Sequence, residues 1–151
     1  MKRNVYLAGA MSCYFNTDQH DYPKKWRGDA KEYVKNLYDG ITLICPTDFY
    51  EIGKSYHKSE AEVMRFDLRM VRESDILLVN LKGLHTSIGT SDEILYAFIS
   101  GKPVIGFLED ESDTKNVHPW KAEQIDRIET GKDAMKRAID YIYGYYVDID
   151  S

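Results

Sequence analysis

Four short apolar runs recur along the chain and are separated by longer segments of mixed polarity. The runs are NVYLAGA at 4–10, ITLICP at 41–46, DILLVNL at 75–81 and KPVIGFLED at 102–110. Their apolar residues are nearly continuous instead of alternating with polar ones, which is typical of parallel strands buried on both faces. The sequence therefore predicts four such strands.

The segments between these runs carry apolar residues near helical spacing. Three helices are predicted over residues 24–40, 60–74 and 90–100. The segment 121–146 is predicted to be mainly helical, with a break near Gly131. Alternation of strands and helices indicates a single α/β domain over residues 1–151, with helices on both faces of a mainly parallel sheet of four to five strands.

Composition and charge exclude several classes of function. The net charge of −5 offers no general attraction to a nucleic-acid backbone. No apolar run approaches the roughly 20 residues of a membrane-spanning helix, and the run after Lys2 and Arg3 is too short for a signal peptide. Cys13 and Cys45 lack the spacing of a metal site. We expect a cytoplasmic protein with free thiols and with no metal, membrane or nucleic-acid partner.

Small and polar residues concentrate where the predicted strands end. Ligands of open parallel sheets bind beyond the carboxyl ends of the strands, so the loops there are expected to form the site. Gly9 and Gly89 allow the backbone to approach a ligand closely. Amides at the start of the helix near Thr90 can hold an anion or a hydroxyl group. Asp48 follows the second strand and is placed to face the same cleft.

Two acidic residues each have two interpretations. Glu93 lies near the start of the third predicted helix, where the helix dipole favours an acid, but the same place suits a catalytic carboxylate. Asp67 lies among arginines on the second helix, so it forms either a surface ion pair or part of the site. Thr90 or Ser91 is expected to cap the third helix.

Three blocks together resemble the nucleoside 2-deoxyribosyltransferase superfamily, which also contains 2'-deoxynucleoside 5'-monophosphate N-glycosidases. The blocks are VYLAGAM, FDLRMVRESDILLVNL and SIGTSDEILYAFISGKPVIGF, and they span Val5 to Phe107 in the family order. The third block is the most specific, with G-T-x-x-E followed by A-x-x-x-G-K-P-V. The resemblance implies a doubly wound, flavodoxin-like three-layer sandwich and chemistry at an N-glycosidic bond.

The resemblance also implies residue roles. Glu93 matches the nucleophile that attacks C1' of the deoxyribose, and Asp67 matches the acid that orients it or protonates the base. Tyr6 matches the tyrosine that contacts the catalytic carboxylate. A carboxylate suits this chemistry because it stabilises an oxocarbenium-like transition state and traps it as an ester. The substrate-binding candidates are Gly9, Ala10, Asp48, Ser87, Gly89 and Thr90.

One departure from the family pattern leaves the acceptor open. Ser87 stands where many transferases carry an aspartate that grips the base, and SIGTSDE looks more like the monophosphate-hydrolase version. The expected reaction is transfer of deoxyribose to another nucleobase. The alternatives are hydrolysis of a 5'-monophosphate, with water as acceptor, and a non-catalytic nucleotide-binding module.

The resemblance carries expectations about partners. The partners expected are a deoxynucleoside or deoxynucleotide and a free nucleobase, and no cofactor is required. Family members assemble as dimers or higher oligomers in which a neighbouring subunit completes each pocket. The aromatic tail around Tyr143–Tyr146 and the segment Phe49–His57 are the candidate contacts for such an assembly.

Overall fold

The computed structural model describes residues 1–50 and 57–148, and these residues form one five-stranded parallel sheet with helices on both faces. The order along the sheet is β2-β1-β3-β4-β5, and every neighbouring pair is parallel. This is the doubly wound, flavodoxin-like order. The predicted fold class is therefore confirmed. The strands are β1 Arg3–Gly9, β2 Ile41–Ile44, β3 Ile76–Asn80, β4 Val104–Leu108 and β5 Arg127–Thr130.

The helices divide between the two faces of the sheet. Their bounds are α1 Tyr22–Leu37, α2 Glu60–Glu73, α3 Ile88–Ile99, α4 Pro119–Ala122 and α5 Ala134–Ile142, the last continued by a π-helical turn, Tyr143–Val147. One apolar core packs α1 and α5 against the sheet, and the other packs α2 and α3 against the opposite face. Among the described residues, no helix is long and apolar enough to cross a membrane.

Strand β1 shows why the apolar runs are continuous. Val5 and Leu7 enter the core beneath α1 and α5, whereas Tyr6 and Ala8 enter the core beneath α2 and α3. Successive side chains of a strand point to opposite faces, so a strand covered on both faces needs apolar residues at every position. The arrangement points Tyr6 toward the α2 and α3 side, where the candidate acids lie.

Two predicted elements differ from the structure. Strand β5 lies within the segment predicted to be mainly helical, and it was missed because this four-residue edge strand pairs only with β4 and contains a single apolar residue, Ile128. Helix α3 begins at Ile88, and its cap is Ser87 instead of Thr90 or Ser91. Gly131 adopts a φ of +91° directly after β5, a conformation that favours glycine, and so separates strand from helix at the predicted break.

Candidate active site

A cavity of about 620 Å³ opens beyond the carboxyl end of β1. It lies between the loop after β1, the face of α2 and the start of α3. Its apolar lining comes from both sides of the opening and includes Met11, Phe15, Val63, Met64, Leu68 and Ile88. Its polar lining includes Tyr6, Arg27, Asp67, Ser87, Thr90 and Glu93. A mostly apolar pocket with a few convergent polar groups is the usual form of a small-molecule site.

Tyr6 and Glu93 are joined by a hydrogen bond at the base of this cavity. The Tyr6 hydroxyl donates to Oε2 of Glu93. Tyr6 is fully buried on β1, an interior strand of the sheet, and its ring packs in the core beneath α2 and α3. Burial first, and then the Glu93 charge, raise the pKa of Tyr6 well above its ordinary value. The phenol therefore stays a neutral donor that fixes one oxygen of Glu93.

Glu93 occupies the second turn of α3. The helix begins at Ile88, and its first turn contains no acid, so capping of the helix dipole is not the reason for this glutamate. Burial raises the pKa of Glu93 to about 8, and the charges of Asp67 and Asp92 add to the rise. The Tyr6 hydrogen bond and the charge of Arg27 oppose it. A strongly perturbed carboxyl in a cleft is a candidate for catalysis.

Asp67 faces the same cavity from the middle of α2. The Tyr50 hydroxyl lies 2.8 Å from Oδ1 and 3.0 Å from Oδ2 of Asp67. No ion pair of Asp67 occurs among the described residues, and the neighbouring Arg69 pairs with Glu73 instead. Burial raises the pKa of Asp67, while the Tyr50 hydrogen bond and the nearby His57 lower it. The geometry thus favours the site interpretation of Asp67 over the surface ion pair.

The carboxyl end of β1 brings Gly9 to the cavity, whereas the next residue, Ala10, lies outside the cavity lining. A Cβ on Gly9 would lie 2.9 Å from the Trp26 ring, so the glycine is required by packing against α1. The Gly9 carbonyl accepts a hydrogen bond from Nη2 of Arg27 at 3.1 Å. Ala10 is buried. The two residues predicted together from one loop therefore have different surroundings.

Asp48 is not brought to the cavity. Both of its carboxylate oxygens bond Nζ of Lys31, at 2.6 and 2.7 Å, and the pair is exposed. Pro46, two residues earlier in the chain, lines the cavity instead. The turn after β2 directs the acid toward α1 instead of the cleft.

Ser87, Gly89 and Thr90 all line the cavity at the start of α3. The Ser87 hydroxyl accepts from the Thr90 amide at 3.3 Å and lies 2.9 Å from Oγ1 of Thr90. Ser87 therefore caps its helix. Space beside Gly89 is open, since a Cβ there would meet nothing within 4 Å.

Two residues of the site were not among the predicted ones. Arg27 lies on the buried face of α1 between Pro23 and Ala30, and a basic residue at such an apolar position is a detectable signal. Tyr50 belongs to an aromatic-rich loop, and nothing in its spacing pointed to Asp67. Among the described residues, no group of three His, Cys, Asp or Glu side chains is arranged to hold a metal ion.

Comparison with solved structures shows the same fold in two bacterial proteins. A conserved protein from Enterococcus faecalis has a TM-score of 0.70 and 18% identity, and the match covers 93% of this chain and 99% of that one. A 2-deoxyribosyltransferase from Bacillus psychrosaccharolyticus has a TM-score of 0.61 and 20% identity, with 89% and 90% of the two chains covered.

Comparison at the level of sequence families identifies the chain. No curated protein matches it. A family model described as nucleoside 2-deoxyribosyltransferase matches residues 5–146, which is nearly the whole sequence. The chain belongs to the nucleoside 2-deoxyribosyltransferase family.

Proposed function

We propose that this protein cleaves the N-glycosidic bond of 2'-deoxynucleosides and transfers the deoxyribose to another nucleobase through a covalent Glu93 intermediate. The observation that carries the proposal is the convergence of Tyr6, Asp67 and Glu93 on one cavity, with Tyr6 bonded to Glu93. Family membership supports deoxyribosyltransferase-type chemistry at that cavity.

In the first half of the proposed reaction, a carboxylate oxygen of Glu93 forms a bond to C1' while the bond from C1' to the base nitrogen breaks. The base takes the electron pair and receives a proton from Asp67. The raised pKa of Asp67 suits an acid that is protonated when needed. The product is a deoxyribosyl ester of Glu93 and a free neutral base.

In the second half, a nitrogen of the incoming base attacks C1' and the ester bond to Glu93 breaks. The electron pair returns to the Glu93 carboxylate, and the proton of the attacking nitrogen passes to Asp67. Tyr6 keeps its hydrogen bond to Oε2 and leaves the other oxygen, Oε1, for the bond to C1'. Fixing the nucleophile in one rotamer lowers the entropic cost of reaching the transition state.

The charge of the cavity favours an uncharged nucleoside over a 5'-monophosphate. Four carboxyl side chains line it, those of Glu60, Asp67, Asp92 and Glu93. Arg27 is the only basic side chain among the described residues of the lining. A phosphate dianion would meet mainly like charges. The Ser87 hydroxyl is engaged with Thr90, which further reduces the case for a phosphate contact there.

Hydrolysis is the second candidate reaction. Its support is Ser87, because the described cavity has no aspartate at that position to hold an incoming base. Water would then attack C1' of the ester in place of the base nitrogen. Gly9, Ser87, Gly89 and Thr90 line the cavity and are the proposed substrate contacts, whereas Ala10 and Asp48 lie outside its lining and remain predictions from the sequence.

We further propose a homodimer or higher homo-oligomer that uses α3. Leu95, Phe98 and Ile99 are exposed apolar residues on this helix, and Ile88 at its start is both 80% exposed and part of the cavity lining. A second copy seated on α3 would therefore reach the cavity. The aromatic tail is a weaker candidate because Tyr143 stacks on Tyr38 within the chain.

We also propose that the chain forms a single domain and that the protein is cytoplasmic. The one sheet and its two cores support a single domain over residues 1–151, although 51–56 and 149–151 lie outside the described residues. Cys13 and Cys45 are free thiols, which suits the reducing cytoplasm. No cofactor enters the proposed steps.

A chromatographic assay tests the proposed function. The purified protein is incubated with each deoxynucleoside and each deoxynucleoside monophosphate, with and without adenine, beside Glu93→Ala and the exposed-acid control Glu73→Ala. We expect deoxyadenosine to form from nucleosides with adenine present, and to be absent only in Glu93→Ala. Free base from monophosphates alone would establish the hydrolase. Binding without turnover in every protein would overturn the enzyme proposal in favour of a binding module.

A further inference from the structure

Arg27 is a buried cation with no carboxylate partner among the described residues. Its side chain on α1 is 3% exposed. Nη1 donates to the Pro23 carbonyl at 3.0 Å and Nη2 to the Gly9 carbonyl at 3.1 Å. Its Nε is buried and has no hydrogen-bond partner among the described residues. The two bonding groups are thus neutral, and no residue that the structure describes forms an ion pair with the guanidinium.

Stability of the fold does not explain this arrangement. Taking a charge out of water is costly, and two carbonyls do not cancel it. The guanidinium lies 4.6 Å from the centre of the Trp26 ring, and this cation–π contact offsets only part of the cost. An apolar residue at this buried position of α1 would avoid the cost altogether. The cation therefore requires a functional explanation.

The position of Arg27 supplies that explanation. Arg27 and Glu93 line the same cavity from α1 and α3. Among the described residues, the other charged or titratable groups that act on Glu93 are Tyr6 from β1, Asp67 from α2, Asp92 from α3 and Tyr50 from the loop after β2. Arg27 is the only cation in this set. Its charge lowers the pKa of Glu93, whereas burial and the two acids raise it.

We propose that Arg27 is a positioning residue that favours the ionised form of Glu93, the form that attacks C1', and holds the Gly9 carbonyl at the edge of the cavity. The proposal rests on the proposed nucleophilic role of Glu93. Trp26 and Arg27 act as a pair: the indole fills the space that a side chain on residue 9 would take, and the guanidinium bonds the same residue's carbonyl. Arg27 thereby acts on the Glu93 carboxylate through its charge and on the Gly9 carbonyl through a hydrogen bond.

The test separates charge from hydrogen bonding at position 27. Arg27→Gln removes the charge and keeps an N–H donor, whereas Arg27→Lys keeps the charge. The matched control is Arg127→Gln, since Arg127 also stacks on an aromatic ring, 4.4 Å from the centre of Tyr141, but lies outside the cavity lining. Carboxyl-carbon NMR follows the titration of Glu93, with Glu93→Gln identifying the signal.

We expect the Glu93 midpoint to move upward by about one pH unit in Arg27→Gln and to stay near the wild-type value in Arg27→Lys and Arg127→Gln. Below the midpoint this change lowers the ionised fraction about tenfold, so kcat/KM should fall about tenfold there and recover at higher pH. A midpoint unchanged in Arg27→Gln, or an equal loss of kcat/KM at every pH, would overturn the proposal.

Two further outcomes remain informative. If Arg27→Gln does not fold, Arg27→Met replaces it, because methionine keeps much of the length and apolar packing of the side chain. We expect the same upward shift of the Glu93 midpoint in Arg27→Met, and an unchanged midpoint or an equal loss of kcat/KM at every pH would again overturn the proposal. If the wild-type protein cleaves no nucleoside at any pH, the proposed function fails. The NMR titration still decides whether Arg27 controls the ionisation of Glu93.

Discussion

The surroundings of Glu93 have opposing effects on the ionisation of its carboxyl group. Burial and two neighbouring acids favour its neutral form, and Tyr6 and Arg27 favour its carboxylate. Its pKa of about 8 lies above the ordinary value of 4.5, so the unfolded chain loses this proton at lower pH than the folded protein does. The associated stabilisation is complete below pH 4.5 and is lost as the pH rises from 4.5 to about 8. The free energy of unfolding is thus lowered over the pH range in which Glu93 becomes ionised and can act as the nucleophile.

Replacing Glu93 by a neutral isostere should remove this loss. We expect Glu93→Gln to be more stable than the wild type at pH 8 by about 1–3 kcal/mol, a value reduced from the full shift because the side chain is partly open to the cavity. The difference should shrink toward zero at pH 4.5. Urea unfolding at both values measures it, with Glu73→Gln as an exposed control. An equal destabilisation by Glu93→Gln at both pH values would contradict burial of the carboxyl group as the cause of the raised pKa of Glu93.

The residues of the site differ in how far the sequence could predict them. Glu93, Asp67 and Tyr6 were reached through the resemblance of their blocks to the family, and the structure brings all three to one cavity. The sequence alone does not indicate a site role for Arg27, because charged residues are normally found on the surface. Tyr50 contacts Asp67 across 17 residues of chain, and no short-range pattern reports such a contact.

At the level of elements, the start of α3 decides the interpretation of two residues. Ser87 caps the helix, so Glu93 lies one turn deeper than a helix beginning after Thr90 or Ser91 would place it. The sequence predicted Thr90 or Ser91 as the cap, and only the backbone conformation identifies Ser87 as the residue that caps the helix. Ser87 has extended backbone angles, whereas Thr90 and Ser91 are already helical.

This cap gives a direct comparison of two serines. We expect Ser87→Ala to lower the free energy of unfolding by about 1 kcal/mol, because the Thr90 amide loses its acceptor. Ser91→Ala is the matched control and should change stability by less than about 0.5 kcal/mol. Denaturant unfolding of both variants provides the measurement. Equal effects would show that the helix does not depend on the Ser87 hydroxyl.

Strand β5 shows why a complete sheet could not be predicted. Strands β1 to β4 contain nearly continuous apolar runs, and these runs predict all four strands. Strand β5 is the four-residue segment Arg127–Thr130 at the sheet edge, with no fully buried residue. Its position depends on pairing with β4, which is a long-range contact. Edge strands are commonly short and charged because this discourages pairing with other chains.

For the whole molecule, the sequence predicted the layers of the fold but not its exposed apolar surface. Continuous apolar strands required helices on both faces, and the structure has them. The same sequence pattern could not show that α3 keeps Phe98 51% and Ile99 72% exposed after packing against the sheet. Exposed apolar patches of this kind commonly mark contacts with another protein.

The proposed assembly can be tested on this helix. We expect Phe98→Glu to convert the oligomer to monomers, because a charge in an apolar contact is costly to bury. Sedimentation equilibrium of the wild type and the variant measures the change, with Leu37→Glu as control since Leu37 is 57% exposed on α1. A monomeric wild type, or the same mass in all three proteins, would rule out assembly through α3.

The most direct test of the central claim is to capture the ester on Glu93. The protein is mixed rapidly with a 2'-deoxynucleoside without an acceptor base, quenched in acid, and analysed by intact and peptide mass spectrometry beside Glu93→Gln. We predict that the wild type gains the mass of one deoxyribosyl group on the peptide containing Glu93 and that the variant gains none. Release of base without any adduct, or an adduct on another residue, would contradict the assignment of Glu93 as the nucleophile.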